Sequence, residues 1–365
     1  MRKNSLLIVT PSLSFGGAEK VALILSNYFS ELDIEVSLVS VHPLYGIKDQ
    51  LSGKVNFYQL TSGSAKNSIF ELRRLILKIR PDKIISVLKS VNILTAVSTF
   101  YIKPKPQLYF RVEAPLSSLV YPLNLKNIIY LFLLNITYPF ALKVIPNSLY
   151  TLDTLKKYYL FGNNYSGHIG NPVFLEGDKT KTGHIKNSLK INGNMLILNV
   201  ARLSKEKDHT TLVKSFSIIK KKLNNVKLII IGRGPMERQL KSFIGKLKLE
   251  NDIFILPTMS KITCYYDLAD LFLFTSKYEG FGNVIVEALS RGLPVISTNC
   301  GSLPKELFKS NTSKYLAEIG DHKALANKSI NILSETVDKS FYKKLVSKYK
   351  KSYVCGEYGR LMGLD

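Results

Sequence analysis

The residues best suited to chemistry form one string in the second half of the chain. It follows an apolar segment at 271–274 and leads into a helical pattern at about 283–291, so we expect a strand-to-helix turn. Its glycines permit positive φ and close backbone approach, and a helix N-terminus can hold a diphosphate. Its two carboxylates can accept hydrogen bonds from sugar hydroxyls. The string consists of Glu279, Gly280, Phe281, Gly282, Asn283, Val284, Ile285, Val286 and Glu287.

The elements that must position this string alternate along the whole chain. Apolar, strand-like segments are separated by helical patterns, which implies parallel sheets with helical crossovers. A polar stretch at 176–194 divides the pattern into two halves. We therefore predict one α/β domain at 1–172, a second at 173–340, and a C-terminal helix at 341–365 that packs back on the first domain.

Charge and cysteine content restrict the class of protein. The 365 residues include 51 Lys and Arg against 27 Asp and Glu, and the net charge is +24. Such a charge calls for an anionic partner: nucleic acid, a membrane or a phosphorylated substrate. Three widely spaced cysteines favour a reducing compartment, and the apolar run at 6–9 is too short for a signal peptide. We expect a cytoplasmic protein.

Two segments of the first half suggest contact with a membrane. Residues 127–144 contain a single charge, Lys143, but Asn127, Asn135 and Pro139 interrupt them. A spanning helix needs about 20 apolar residues, so a core helix or a helix lying in a membrane interface is expected instead. Residues 72–80 alternate apolar and cationic positions, which fits the anionic cytoplasmic leaflet. The alternative is a merely soluble, lysine-rich surface.

Several motifs together resemble those of the family 4 retaining glycosyltransferases. The string from Glu279 to Glu287 resembles their E-x7-E motif, and the resemblance extends over nearly the whole chain, more loosely between residues 50 and 147. It implies the GT-B fold: an α/β architecture of two Rossmann-like parallel-sheet domains facing across a cleft. Further matching segments are the glycine loop at 14–21, the end of the first domain at 147–148 and 169–173, the strand end at 199–208, the Gly-x-Gly-Pro turn at 232–235, and the strand at 292–298.

The resemblance also implies a role for each matching residue. Glu287 would hold the donor's ribose hydroxyls, and Glu279 would contact the transferred sugar. The reaction would be metal-independent and without a cofactor, because the chain has no Asp-x-Asp motif and basic side chains serve instead in this family. A solvated charge run is the alternative for these cations. The expected contacts of the donor diphosphate and sugar are Gly16, Gly17, Arg202, Lys207 and the backbone of Gly280, Phe281, Gly282, Asn283 and Val284.

The implied reaction transfers a hexose or N-acetylhexosamine, and we expect a UDP-linked donor. The acceptor would be an oligosaccharide or lipid-linked sugar in capsule, O-antigen or exopolysaccharide synthesis. The basic first domain favours a lipid-linked acceptor and peripheral association with the anionic inner membrane surface. Arg111 and Glu113, at the end of a strand, are candidates for the acceptor side, with a surface ion pair or turn as the alternative.

Two other functions stay open at this point. A UDP-sugar 2-epimerase could share the fold, but it would need further acid and base groups. The five histidines show no metal-ligand spacing, and we expect them in loops or on the surface. A nucleic-acid-binding protein is suggested by charge alone, and the sequence has no RRM, helix-turn-helix or KH signature. We therefore expect no nucleic acid partner.

Overall fold

The chain forms two compact units in a computed structural model. The first comprises residues 1–172 and 351–365, and the second residues 173–350. The expected linker at 176–194 lies largely outside the described part of the chain. The structure describes residues 4–14, 16–43, 46–62, 65–120, 124–173, 187, 191, 193–259, 262–300, 303–309 and 311–364.

The first unit is built on a six-stranded parallel sheet in the order β3-β2-β1-β4-β5-β6. Both faces of the sheet are covered: Leu6 and Ile8 of β1 point into one apolar core, and Leu7 and Val9 into another. This alternation follows the two-residue period of a strand. The strands are β1 (Asn4–Thr10), β2 (Ile34–Ser40), β3 (Asn56–Gln59), β4 (Lys83–Val87), β5 (Gln107–Val112) and β6 (Lys143–Pro146).

Helices from different parts of the chain cover the two faces of this sheet. One face carries α1 (Gly17–Phe29) and the C-terminal helix α14 (Lys351–Met362), whose Val354 and Tyr358 enter its core. The opposite core contains buried side chains from each of the other four helices. These are α2 (Ala65–Ile79), α3 (Lys89–Ser98), α4 (Leu125–Thr137) and α5 (Leu149–Tyr158).

The second unit repeats this plan around a single apolar core. Its sheet is parallel, with the order β12-β11-β10-β7-β8-β9. The strands are β7 (Met195–Val200), β8 (Val226–Ile231), β9 (Ile253–Leu256), β10 (Leu271–Phe274), β11 (Val295–Thr298) and β12 (Leu316–Ala317). The helices are α6 (His209–Lys222), α7 (Glu237–Lys246), α8 (Thr263–Leu268), α9 (Asn283–Ser290), α10 (Leu303–Leu307), α11 (Thr312–Tyr315), α12 (His322–Leu333) and α13 (Lys339–Leu345).

Each sheet has its first strand near the middle, and the strand order reverses there. The reversal lies between β1 and β4 in one unit and between β7 and β10 in the other. Open α/β sheets bind ligands outside the carboxyl ends of their strands at this switch point. The two Rossmann-like parallel sheets predicted from the sequence are confirmed.

The C-terminal segment differs from the single helix expected at 341–365. Lys350 has φ −58° and ψ 143°, an extended conformation that interrupts the helical path between α13 and α14. Tyr342 and Tyr349, before the break, are buried in the core of the second unit. Only the part from Lys351 onward belongs to the first unit.

The apolar segment at 127–144 also divides into separate elements. Helix α4 ends at Thr137, a 3-10 turn covers Tyr138–Phe140 with Pro139 inside it, and β6 begins at Lys143. Within the described ranges, no helix is both long and apolar enough to cross a membrane.

Candidate functional site

The switch point of the second unit gathers most of the candidate residues. Arg202 and Lys207 follow β7, and Glu279 follows the neighbouring strand β10. Glu287 lies on α9, the helix that begins after the same loop. The order of the strands therefore brings together side chains that are separated by more than seventy positions in sequence.

The turn after β7 is held in one shape by its own hydrogen bonds and by the loop after β10. It ends at Asp208, whose φ of 49° lies in the left-handed region, and whose carboxylate caps α6 by accepting from the backbone N–H of Thr211 at 3.3 Å. Thr275 Oγ1 donates to the carbonyl of Lys207 at 2.9 Å. The backbone N–H of Lys277 donates to the carbonyl of Glu206 at 2.8 Å. The turn and the Glu279 loop thus form one framework.

The Gly-x-Gly-Pro turn packs closely against this framework. A Cβ at Gly232 would lie 1.9 Å from the carbonyl oxygen of Ala201, and a Cβ at Gly234 would lie 2.3 Å from that of Leu203. No side chain fits at either distance. These glycines therefore let the turn pack directly against the backbone that carries Arg202.

Lys207 and Glu279 form an ion pair between Nζ and Oε1. The two side chains are 16% and 18% exposed. Because little water separates the charges, their attraction is stronger than on an open surface. The structure thus joins two residues that the sequence assigned to the same donor.

Arg202 has a different environment, because its side chain is 70% exposed. Its Nη2 donates to Glu206 Oε1 at 2.8 Å, and Ser204 Oγ donates to the same oxygen at 2.6 Å. Burial alone would raise the pKa of Glu206, but bonds from Ser204, its own backbone and Arg202 outweigh burial and lower the pKa to about 2. Sequence analysis placed Glu206 only within a charge run and did not predict that it binds Arg202 and Ser204.

Glu287 is the most buried acid of the site, with 3% exposure. Tyr266 on α8 donates its hydroxyl to Oε2 of Glu287 at 2.7 Å. Burial raises the pKa of Tyr266 well above its usual value, so the phenol keeps its proton and acts as the donor. Asp267 and Arg291 join α8 to the end of α9 through two 2.7 Å hydrogen bonds. No signal in the sequence pointed to Tyr266.

The glycine string has the turn geometry that its composition predicts. Gly282 has φ 90° and precedes the first residue of α9, Asn283. The ring of Phe281 is buried and meets that of Tyr349 edge-on, with 5.2 Å between centroids. Phe281 therefore anchors the loop, and any contact with a donor falls to its backbone. Val284 is half-buried against the core.

The glycine loop of the first unit follows β1. Gly17 begins α1, and Gly16 precedes it. A Cβ at Gly16 would lie 2.1 Å from the carboxylate of Glu19, so the glycine lets this side chain fold back over the loop. Ser12 and Ser14 donate to the same carboxylate at 3.3 and 3.2 Å. The contact of Gly16 and Gly17 with a diphosphate stays a prediction.

Arg111 does not have the environment that an acceptor contact requires. Its side chain is 0% exposed and forms an ion pair with Glu113. It also donates through Nε to the hydroxyl of Tyr358 on α14, and through Nη2 to Asn171 Oδ1 at 2.7 Å. Arg111 therefore links β5 to the C-terminal helix and to the end of the first domain's main segment. For Glu113 the acceptor role stays a prediction.

His209 also departs from expectation, because it is buried rather than in a loop or on the surface. It is the first residue of α6, and neither ring nitrogen has a hydrogen-bond partner. Burial, followed by the nearby charge of Lys207, lowers its pKa to about 4. The ring is therefore neutral at pH 7 and lies close to the ion-paired turn. In the described part of the chain, no cluster of His, Cys, Asp and Glu could hold a metal ion.

Comparisons with known proteins show similarity to glycosyltransferases. Residues 181–352 match the model of the glycosyl transferases group 1 family. The amylovoran biosynthesis glycosyltransferase AmsD of Erwinia amylovora is 28% identical over 320 residues, 84% of each chain. An N-acetylgalactosaminyltransferase of Campylobacter jejuni, acting on a diphospho-undecaprenol-linked sugar, is 26% identical over 63% of this chain. The match spans only 61% of that enzyme's length.

The solved structures share the architecture of the entire chain. HepE of Anabaena, crystallised with UDP and glucose, superposes with a TM-score of 0.83 over 99% of both chains at 19% identity. The fold is therefore the GT-B fold expected from the sequence. The chain therefore has the fold of the GT-B glycosyltransferases, and the sequence of its second unit matches the model of the glycosyl transferases group 1 family over residues 181–352.

Proposed function

We propose that this chain is a family 4 retaining glycosyltransferase. It would move a hexose or N-acetylhexosamine from a UDP-sugar to a sugar or lipid-linked sugar in the synthesis of a bacterial surface polysaccharide. The observation that carries this proposal is the Lys207–Glu279 pair at the switch point of the second unit, where the loop of Glu279 leads into the helix that carries Glu287. The names of the Erwinia and Campylobacter relatives support the polysaccharide and the lipid-linked acceptor.

The leaving diphosphate is the first group that the site must stabilise. Lys207 and the exposed Arg202 supply positive charge, and the N-terminus of α9 supplies the positive end of a helix dipole. Negative charge grows on the diphosphate as the glycosidic bond breaks, so these fixed groups favour the transition state. Side chains would thus stabilise the negative charge in place of a metal ion, and the reaction would be metal-independent.

The two glutamates would recognise different parts of the donor. Glu287 is oriented by the Tyr266 hydroxyl, and a carboxylate can accept several hydrogen bonds, which suits it to ribose hydroxyls. Glu279 lies in the loop before α9 and would accept a hydroxyl of the transferred sugar. Its pairing with Lys207 aligns the sugar with the diphosphate that leaves.

Without a side-chain nucleophile, retention of configuration requires attack on the face from which the leaving group departs. The acceptor oxygen would form its bond to the anomeric carbon as the bond to phosphate breaks. The departing phosphate oxygen would take the acceptor's proton, so no side-chain nucleophile enters the step. Glu113 would orient the acceptor hydroxyl.

Nucleotide binding tests this proposal without knowledge of the acceptor. We expect UDP, but not GDP, ADP or CMP, to raise the melting temperature in the presence of EDTA. A ligand at 100 times its dissociation constant stabilises the folded state by about 2.7 kcal/mol. Stabilisation by GDP alone would change the donor, and a UDP effect abolished by EDTA would contradict metal independence.

A turnover assay separates transfer from epimerisation. The enzyme is incubated with UDP-N-acetylglucosamine and UDP-glucose, with and without a lipid-linked sugar. Transfer predicts release of UDP that depends on the acceptor. Conversion of UDP-N-acetylglucosamine to its 2-epimer without an acceptor would instead identify an epimerase.

The place of action follows from the proposed acceptor. A lipid-linked sugar resides in a membrane, and we propose that this enzyme works at the anionic cytoplasmic face. The net charge of +24 suits such a surface.

A further inference from the structure

Helix α4 presents its apolar side chains to the outside of the first unit. Leu125 is 74% exposed and Phe132 is 60% exposed, although a helix of a soluble protein normally turns such residues inward. The exposed residues recur with the spacing of one helical face. They are Leu125, Ile128, Ile129, Phe132, Leu133 and Ile136, and we call them the α4 outer face.

Polar side chains on the opposite side of α4 fix this orientation. Asn135 is buried, donates to the carbonyls of Leu131 and Tyr158 at 2.9 and 3.1 Å, and accepts from the N–H of Leu160 at 2.6 Å. Thr137 is also buried and hydrogen-bonded. Rolling the helix to hide its apolar face would break the bonds from Asn135 to Tyr158 and Leu160, which lie outside α4. The exposure therefore belongs to the folded state.

Further exposed aromatic and cationic residues surround Phe140, three residues beyond the end of α4. Tyr101, Phe140, Lys103 and Lys105 line one shallow pocket, and Lys105 Nζ lies 5.2 Å from the centre of the Phe140 ring. Lys126 lies on α4 itself. Residues 83–172 contain nine Lys and Arg and two acids, and one of those acids is already paired with Arg111. The surface is thus both apolar and positively charged.

The cationic helix predicted for membrane contact contributes less apolar surface. In α2, Leu72 and Ile76 are buried in the core, and Arg73 donates to the carbonyls of Ser98 and Phe100. Arg74 and other charged residues of α2 are exposed. Helix α2 can add positive charge, but the apolar surface comes mainly from α4.

We propose that the α4 outer face lies in the interface of an anionic lipid bilayer, with Lys103, Lys105 and Lys126 at the level of the headgroup phosphates. Exposed apolar patches of this kind mark interaction sites, and the positive surroundings select a lipid surface as the occupant. The 13 residues of α4 span about 20 Å, less than the roughly 30 Å hydrocarbon core. The helix therefore lies along the surface. The inference rests on the proposed function, which supplies a lipid-linked acceptor.

Vesicle co-sedimentation with the full chain tests the proposal. We expect binding to vesicles that contain phosphatidylglycerol, and weak binding to phosphatidylcholine alone. The double variant Ile129→Asn/Phe132→Asn should bind at least about 30-fold less, because two inserted apolar side chains are lost. Lys103→Ala/Lys105→Ala should lose about 10- to 30-fold on anionic vesicles. The control Leu32→Asn, at another exposed apolar position of the unit, should bind as the wild type does.

The UDP-induced rise in melting temperature, measured for every variant, separates this proposal from the function. If UDP stabilises all variants equally while vesicle binding follows the predicted order, both stand. If Ile129→Asn/Phe132→Asn binds vesicles like the wild type, the α4 outer face is not the membrane surface. A dimer that Ile129→Asn/Phe132→Asn abolishes, with no vesicle binding by the wild type, would also overturn the proposal by assigning the face to a second copy.

Discussion

Two ion pairs lie at strand ends, one in each unit, and their surroundings differ. Lys207 and Glu279 retain 16% and 18% exposure, whereas Arg111 and Glu113 retain 0% and 8%. Arg111 is further bonded to Tyr358 and Asn171. Both members of the first pair are therefore partly accessible, whereas Arg111 of the second pair is fully enclosed.

The comparison shows why residue type alone does not identify a site. Both pairs consist of a cation and a glutamate near the end of a parallel strand, and sequence analysis assigned both to substrates. The two pairs differ in the residues that cover them. The C-terminal helix covers Arg111 through Tyr358, 247 positions away in the chain, whereas the Lys207 turn lies at a switch-point edge.

The largest expected effect separates the two pairs by stability. Arg111→Met leaves the Glu113 carboxylate buried without its cation, which costs about 3–5 kcal/mol of unfolding free energy. Thermal or urea unfolding measures the loss, with Arg74→Met on the exposed part of α2 as the control. Equal stability of the two variants would show that Arg111 is not a structural link.

The converse effect concerns turnover. Glu279→Gln should lower transfer about 100-fold or more, because an interaction with the reacting sugar is lost. The affinity for UDP and the melting temperature should change much less. Glu237→Gln, which alters an exposed pair with Lys241, is the control. A Glu279→Gln enzyme with unchanged turnover would remove Glu279 from the site.

A pH titration of stability tests the buried ring next to the Lys207 turn. The folded pKa of His209, about 4, lies below its ordinary value of 6.5, so the unfolded chain takes up a proton first as the pH falls. The contribution of the neutral His209 ring to the free energy of unfolding is complete above pH 6.5 and is lost towards pH 4. The loss between pH 6 and 4.5 is about 2 kcal/mol. His209→Gln should flatten this slope, and His42→Gln should not. A slope unchanged in His209→Gln would contradict the assignment.

The smallest expected effect tests whether Tyr266 orients Glu287. Tyr266→Phe removes one hydrogen bond to Glu287, worth about 1 kcal/mol, so the affinity for UDP should fall about fivefold. Calorimetric titration measures it, with the neighbouring Tyr265→Phe as the control. If both variants bind UDP equally well, Tyr266 does not orient Glu287.

Local patterns predicted the fold and the positions of the site residues along it. The period-two strands and the glycine turn before α9 involve neighbours in sequence, and the helix expected at about 283–291 is observed at Asn283–Ser290. Strand β3 was missed because polar residues occupy both of its ends, and β12 was missed because it has only two residues.

Long-range contacts could not be predicted. Tyr266 contacts Glu287 only because α8 and α9 pack together. Glu206 pairs with Arg202 only because the turn after β7 folds back on itself. Periodicity also shows which face of α4 is apolar but not which way that face points. Asn135 fixes its direction through bonds to Tyr158 and Leu160, which the sequence does not reveal.

Calorimetric titration of UDP, with EDTA present, tests the central claim most directly. The wild type and Glu113→Gln should bind UDP alike, whereas Glu287→Gln should bind at least about tenfold more weakly, a difference of about 1.4 kcal/mol. Equal affinity in Glu287→Gln and the wild type, or no UDP binding by the wild type, would contradict a nucleotide-sugar site at the switch point of the second unit.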